Sequence, residues 1–167
     1  IYQVGALQAF CDSYGVTLQH MKLHGAFYNT ACVTPALADA VLDGLQAVNP
    51  NIAAMVLSGS YIAKEAQRRG IPVIQEVFAD RGYTDEGTLV PRTEPGAFIK
   101  DPQEALERVL MMVTEGKVVT NTGNTIDIVA DSVCVHGDNP EAIAFTNYIR
   151  EGLTKAGVTV ANFQNRK

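Results

Sequence analysis

Along this chain of 167 residues, apolar positions recur every three or four residues in several stretches, and between those stretches lie short runs that are apolar almost throughout. The first pattern predicts helices with one buried stripe, and the second predicts strands covered on both faces. Ala142, Phe145, Ile149, Leu153 and Ala156 form one stripe, with Asn139 ahead of it as an N-cap and Pro140 at the first helical position. Asp101-Pro102-Gln103-Glu104 has the form of a capping box, and Ala105, Leu106, Val109, Leu110 and Val113 are the apolar face behind it. Thr34-Pro35 opens another helix, with Leu37, Val41 and Leu45 on one side. Tyr2 to Tyr14 reads as a helix with no strand ahead of it, and Ile52 to Leu57 and Ser132 to Val135 read as strands.

One punctuation repeats: a glycine suited to end a helix in the left-handed conformation, followed by a β-branched run. It occurs at Gly15-Val16-Thr17-Leu18, Gly70-Ile71-Pro72-Val73, Gly116-Lys117-Val118-Val119 and Gly157-Val158-Thr159-Val160. Helix-to-strand alternation of this kind predicts a parallel sheet with right-handed crossovers. The reading gives about five or six strands, where a closed (β/α) barrel needs about eight and roughly 250 residues. An open doubly wound sheet and a barrel lacking its opening units both fit, and with no internal linker or composition shift the whole of 1–167 reads as one domain.

Composition narrows the partners. At 47% hydrophobic and 19% charged residues, the chain has the make-up of a globular domain. No apolar run approaches the roughly 18 residues of a membrane span, which predicts a soluble chain and no membrane partner. A net charge of −5 without any block of Lys and Arg argues against nucleic acid and for a small molecule or a protein. Cys11, Cys32 and Cys134 are odd in number and widely spaced, which fits neither a disulfide framework nor a zinc finger and suits a reducing cytoplasm.

Ligands of parallel α/β folds sit at the carboxyl ends of strands, and three polar groups fall there. In His20-Met21-Lys22-Leu23-His24-Gly25, alternation puts Lys22 and His24 on one face, a cation beside a titratable ring. In Glu76-Val77-Phe78-Ala79-Asp80-Arg81-Gly82-Tyr83, two carboxylates, a guanidinium and a phenol suit anion binding and proton transfer. The long connection from Arg81 to Gly96 reads as a binding lid, and Arg92 within it is a second fork-shaped donor for carboxylate or phosphate. In Cys134-Val135-His136-Gly137-Asp138, His136 beside a carboxylate reads as a base with a fixed tautomer or as a metal ligand, while Asp138 also fits a plain helix-start role. Together the three strand ends predict one convergent site. Phosphate-loop, dinucleotide-turn, nucleophile-elbow and H-E-x-x-H motifs are absent, and Thr120 to Thr125 reads as a turn between short extended pieces.

Lys22-Leu23-His24-Gly25-Ala26-Phe27-Tyr28-Asn29, Glu76 to Tyr83, Leu89-Val90-Pro91-Arg92 and Cys134 to Asp138, in this order, resemble the LamB/YcsF family, the A subunits of 5-oxoprolinase, over essentially the whole chain. Leu23 stands where the family usually has proline, and Phe27 where it usually has leucine. The resemblance implies an α/β fold, a parallel (β/α) barrel of the glycoside hydrolase/deacetylase type. It also implies a leading segment with further acidic and histidine motifs, so that the barrel here is incomplete at the N-terminus. The implied reaction is ATP-dependent opening of the lactam 5-oxoproline to glutamate, with partner subunits B and C and ATP as co-substrate. On that reading His24 and His136 are acid and base, Glu76, Asp80 or Asp138 orient them, and Lys22, Arg81, Tyr83, Arg92 and Asp138 bind substrate. A rival within the same superfamily is a metal-dependent deacetylase in which His24, His136 and a carboxylate hold a divalent ion; a third reading is a non-catalytic subunit that binds a small acid. An unpaired edge on the strand ending at Lys22 predicts self-association, exchange of elements between chains, or low stability.

Overall fold

The computed structural model describes residues 1–136 and 142–163, and the chain divides into two compact units, Ile1–Gln75 and Glu76–Lys167. Among the described residues there are six helices and six strands. The helix-ending glycines are as expected: Gly15, Gly70, Gly116 and Gly157 all have φ between 65° and 81°. The boundary between the units falls inside a strand, which explains why no linker or composition shift marks it in the sequence.

The first unit runs α1 (Tyr2–Tyr14), β1 (His20–Lys22), α2 (Gly25–Val33), α3 (Pro35–Val48), β2 (Ala53–Leu57) and α4 (Tyr61–Arg68), and ends within β3 (Val73–Phe78). Its strands are ordered β1-β2-β3, and β1 lies parallel to β2 with His20 opposite Ala53 and Lys22 opposite Met55. Leu42 and Leu45 of α3 and Ile62 and Ala66 of α4 bury their faces against Ala54 and Val56 of β2. Burial at four of the five β2 positions matches the near-continuous apolar run predicted for it. Ser60 caps α4 through its hydroxyl, which accepts from the Ala63 N–H at 3.4 Å. Glu65 then binds Arg68 and Arg69 at 2.6 and 2.7 Å, and Arg69 reaches back to Asp39 and Asp43 of α3. Helix α1 buries none of its residues.

In the second unit the end of β3 pairs in parallel with β6 (Ser132–Cys134), Glu76 opposite Ser132 and Phe78 opposite Cys134. Helices α5 (Pro102–Thr114) and α6 (Ala142–Lys155) pack Ala105, Val109, Ile149 and Leu153 together against Ala79. Asp101 caps α5 as expected, its carboxylate accepting from the Glu104 N–H at 2.8 Å. The cap and first position read for α6, Asn139 and Pro140, lie outside the described residues. The run after Gly116 is a strand, but not one of the parallel sheet: β4 (Lys117–Val119) forms an antiparallel hairpin with β5 (Thr125–Asp127) across the turn read from Thr120 to Thr125. The run after Gly157 forms no strand. The physical reason is length: three or four β-branched residues suffice for an extended segment, and which partner it finds is decided by the chain around it.

The connection after β3 is not the free lid its length suggested. Gly82 donates to the Ala97 carbonyl and accepts from the Val90 N–H, at 3.1 and 3.0 Å. Asp85 accepts from Thr120, Thr122 and Asn124, which fastens the connection to the β4–β5 turn. Tyr83, Val90 and Ala97 are buried along it, so opening it would expose apolar side chains and break its own ladder.

Candidate active site

Register alone explains the central contact. Parallel pairing sets Phe78 beside Cys134, and the Ala79 N–H continues the ladder to the Cys134 carbonyl at 3.1 Å. Two residues further on, Asp80 and His136 emerge side by side at the carboxyl ends of β3 and β6. The His136 Nδ1 lies 2.7 Å from Asp80 Oδ2, and its ring stacks on Phe78 with centroids 5.7 Å apart and planes 24° apart. An imidazole held by a carboxylate at Nδ1 carries its proton there when neutral and offers Nε2 as a base. Among the described residues Asp80 Oδ1 is buried without a hydrogen-bond partner.

The pair lines a hollow of about 1030 Å³ in the second unit. The returning connection builds another wall, because the Ile99 N–H donates to the Asp80 carbonyl at 3.0 Å and Arg81 bridges Phe98 in antiparallel fashion. Arg92, Phe98 and Lys100 thereby line the same hollow, together with Phe145 and Tyr148 of α6. Of the residues expected to act, the structure gathers Asp80, His136 and Arg92 here. Sequence reasoning missed Lys100, Phe98 and Tyr148; the only signal was that Lys100 immediately precedes the Asp101 cap, and capping fixes where a chain enters a helix.

Three residues have other tasks than the ones expected of them. Arg81 is 3% exposed, and its guanidinium donates to the Ala97 and Val90 carbonyls at 2.9 and 2.6 Å, tying the connection together rather than meeting a substrate. Tyr83 is wholly buried; its hydroxyl accepts from the Phe78 N–H at 2.9 Å, and burial pushes its pKa up, so the phenol belongs to the core. Glu76, 2% exposed, sits in the body of β3 and does not line the hollow. Asp138 lies outside the described residues.

Lys22 and His24 belong to the first unit, where both line a hollow of about 860 Å³. Lys22 Nζ stands 5.7 Å from the centre of the Tyr28 ring. His24 is the N-cap residue of α2, extended at φ −132° and ψ 156°, and the chain turns immediately after it because Gly25 takes a φ of 62°. Its ring makes no capping hydrogen bond. Met21 and Leu23 pack against the apolar cluster of α3, α4 and β2. Among the described residues no three His, Cys, Asp or Glu side chains are grouped as a metal set, and His136 with Asp80 makes two donors.

A parallel α/β fold with polar side chains gathered at the carboxyl ends of its strands is the arrangement of the (β/α)-barrel class. More particularly, residues 1–167 match the family model of the LamB/YcsF family, and the chain belongs to that family. It is 57% identical over 160 residues to the 5-oxoprolinase A subunit of Fusobacterium nucleatum, covering 96% of this chain and 62% of that protein. With the 5-oxoprolinase A subunit of Pyrococcus horikoshii it shares 46% identity over 160 residues, 96% of this chain and 63% of the relative. The crystal structure of the lactam utilization protein from Thermus thermophilus superposes with a TM-score of 0.85 at 41% identity, over 95% of this chain and 63% of that one. The chain thus has the fold of a partial (β/α) barrel and spans less than two thirds of the length of these relatives. Among its described residues no single helix is long and apolar enough to cross a membrane.

Proposed function

We infer that the protein opens the lactam ring of 5-oxoproline to give glutamate, with ATP as co-substrate, as the A subunit of a complex with subunits B and C in the cytoplasm. The names of its relatives supply the substrate, and the single observation that carries the chemistry is the 2.7 Å contact between Asp80 and His136 at the wall of the hollow. A lactam is a resonance-stabilised amide, so its opening needs an attacking water, a proton for the leaving nitrogen and stabilisation of the charge that develops on oxygen. ATP gives its γ-phosphoryl group to the carbonyl oxygen and leaves as ADP. His136 takes the proton from water through Nε2 as the water oxygen bonds to that carbon, and returns a proton to the ring nitrogen as the C–N bond breaks. A second water releases phosphate from the resulting glutamyl phosphate. Asp80 holds the tautomer and steadies the imidazolium through Oδ2. Arg92 and Lys100 take the substrate carboxylate. Lys22 and His24 are a binding and a proton-moving group at the hollow of the first unit, and Glu76 supports the end of β3 from inside the sheet.

The test is glutamate formation from 5-oxoproline and ATP, with subunits B and C present, in His136→Ala and His24→Ala variants. Loss of general acid–base catalysis lowers kcat by about 10²- to 10⁴-fold. Unchanged turnover in both variants would remove the catalytic assignment and leave a protein that only binds the acid.

A further inference from the structure

The hollow of the second unit is larger than the acid inferred for it. About 1030 Å³ is the size of a site that encloses a drug-sized ligand, whereas 5-oxoproline is one five-membered ring with a carboxylate. The inferred reaction also brings a second molecule to the same carbonyl, because the γ-phosphoryl group of ATP must reach the oxygen on the carbon that His136 serves. The rest of the nucleotide then lies within a triphosphate's length of the dyad. Its base is a flat π-system, and proteins hold such systems on aromatic rings.

Most aromatic rings of the second unit are withdrawn from solvent: Phe78 and Tyr83 are buried, and Phe145 is partly buried against the core between α5 and α6. Among the described residues, Phe98 and Tyr148 are the aromatics of this unit left exposed, each at 42%, and both line the hollow. They differ in what they touch. Phe98 is engaged by Arg81 and Arg92, at 5.2 and 5.5 Å from its centroid, whereas the Tyr148 side chain has no hydrogen bond, ring contact or cation contact among the described residues. Tyr148 is also firmly mounted, because Ile149 and Leu153 of the same helix are buried in the core. We propose that Tyr148 is the base-stacking residue of a nucleotide subsite, on which the adenine of ATP rests while its phosphates extend to the carbonyl beside His136. This rests on the ATP-dependent reaction inferred above and adds the place of the base.

The chain contains no tryptophan, so Tyr148→Trp carries a single indole at the subsite. Adenosine and ATP are expected to quench its emission saturably, and inorganic triphosphate, which lacks the base, to leave it unchanged. In calorimetric titration Tyr148→Ala is expected to weaken ATP about five- to hundredfold, the loss of one base–aromatic stack, and Tyr148→Phe to bind like the parent. Triphosphate affinity stays the same in all of them, whereas a merely structural role would lower ATP and triphosphate affinity together and overturn the subsite. Unchanged ATP affinity in Tyr148→Ala also overturns it; if that variant instead loses its hold on subunits B and C, the ring is a partner contact. Failure of the inferred reaction reads differently. Turnover intact in His136→Ala leaves the stacking result standing, while no binding of ATP to this protein, with glutamate still formed once B and C are added, removes the subsite and spares the reaction.

Discussion

Gly82 shows how much of the site depends on a residue with no side chain. A Cβ there would collide with the Gly96 carbonyl oxygen and press on Val90, and backbone atoms cannot swing aside as a side chain can. We therefore expect Gly82→Ala to lower unfolding free energy by about 1–3 kcal/mol in denaturant titration. We also expect it to displace Arg92 and Lys100, because the ladder through Gly82 carries that wall. A variant as stable as the parent would show that the connection shifts freely. At this scale the position of Asp80 and His136 at strand ends, on a hollow that Arg92 also lines, was legible in the sequence, because polar residues that follow an apolar strand in a parallel fold have few places to go. Arg81 and Tyr83 were misassigned for one shared reason: a guanidinium and a phenol are equally good at satisfying backbone groups inside a connection. Which task they take is set by the bridges from Arg81 to Phe98 and from Tyr83 to Leu89, a pairing that no local pattern announces.

Between elements, the α3–α4 junction makes a pH-dependent contribution with a definite sign. Hydrogen bonds from Arg68 and then Arg69 hold the Glu65 carboxyl down at about 2, against an ordinary value of 4.5. A carboxylate whose pKa is lower folded than unfolded stabilises the fold above its unfolded value and loses that contribution as pH falls. Stability from Glu65 is thus complete above about pH 4.5 and declines from there towards pH 2. Glu65→Gln is expected to flatten the urea midpoint over this window; an identical acid limb in parent and variant would contradict the role. The helices themselves were legible from apolar spacing and from the Asp101 cap. The fate of Val118 and Val119 was not, since the hairpin they join is selected by Ile126 opposite Val118 and by the Asp85 tether rather than by their own β-propensity.

For the whole molecule, fold class was readable because alternation of helix and strand leaves few topologies, whereas the pairing of Asp80 with His136, 56 residues apart, required the register of β3 and β6. In the first unit β1 ends the strand order, and α1 leaves Tyr2, Phe10 and Tyr14 between 66% and 87% exposed. We expect multi-angle light scattering to find species heavier than the 18.0 kDa chain; a strict monomer at all concentrations would count against an adhesive edge. The most direct measurement of the proposed catalytic pair is a double-mutant cycle on 5-oxoproline turnover with Asp80→Asn, His136→Ala and both together. If Asp80 acts through His136, the double variant is as slow as His136→Ala alone, within about twofold, because groups acting as a unit do not add. Losses that multiply, or a His136→Ala enzyme as fast as the parent, would contradict it.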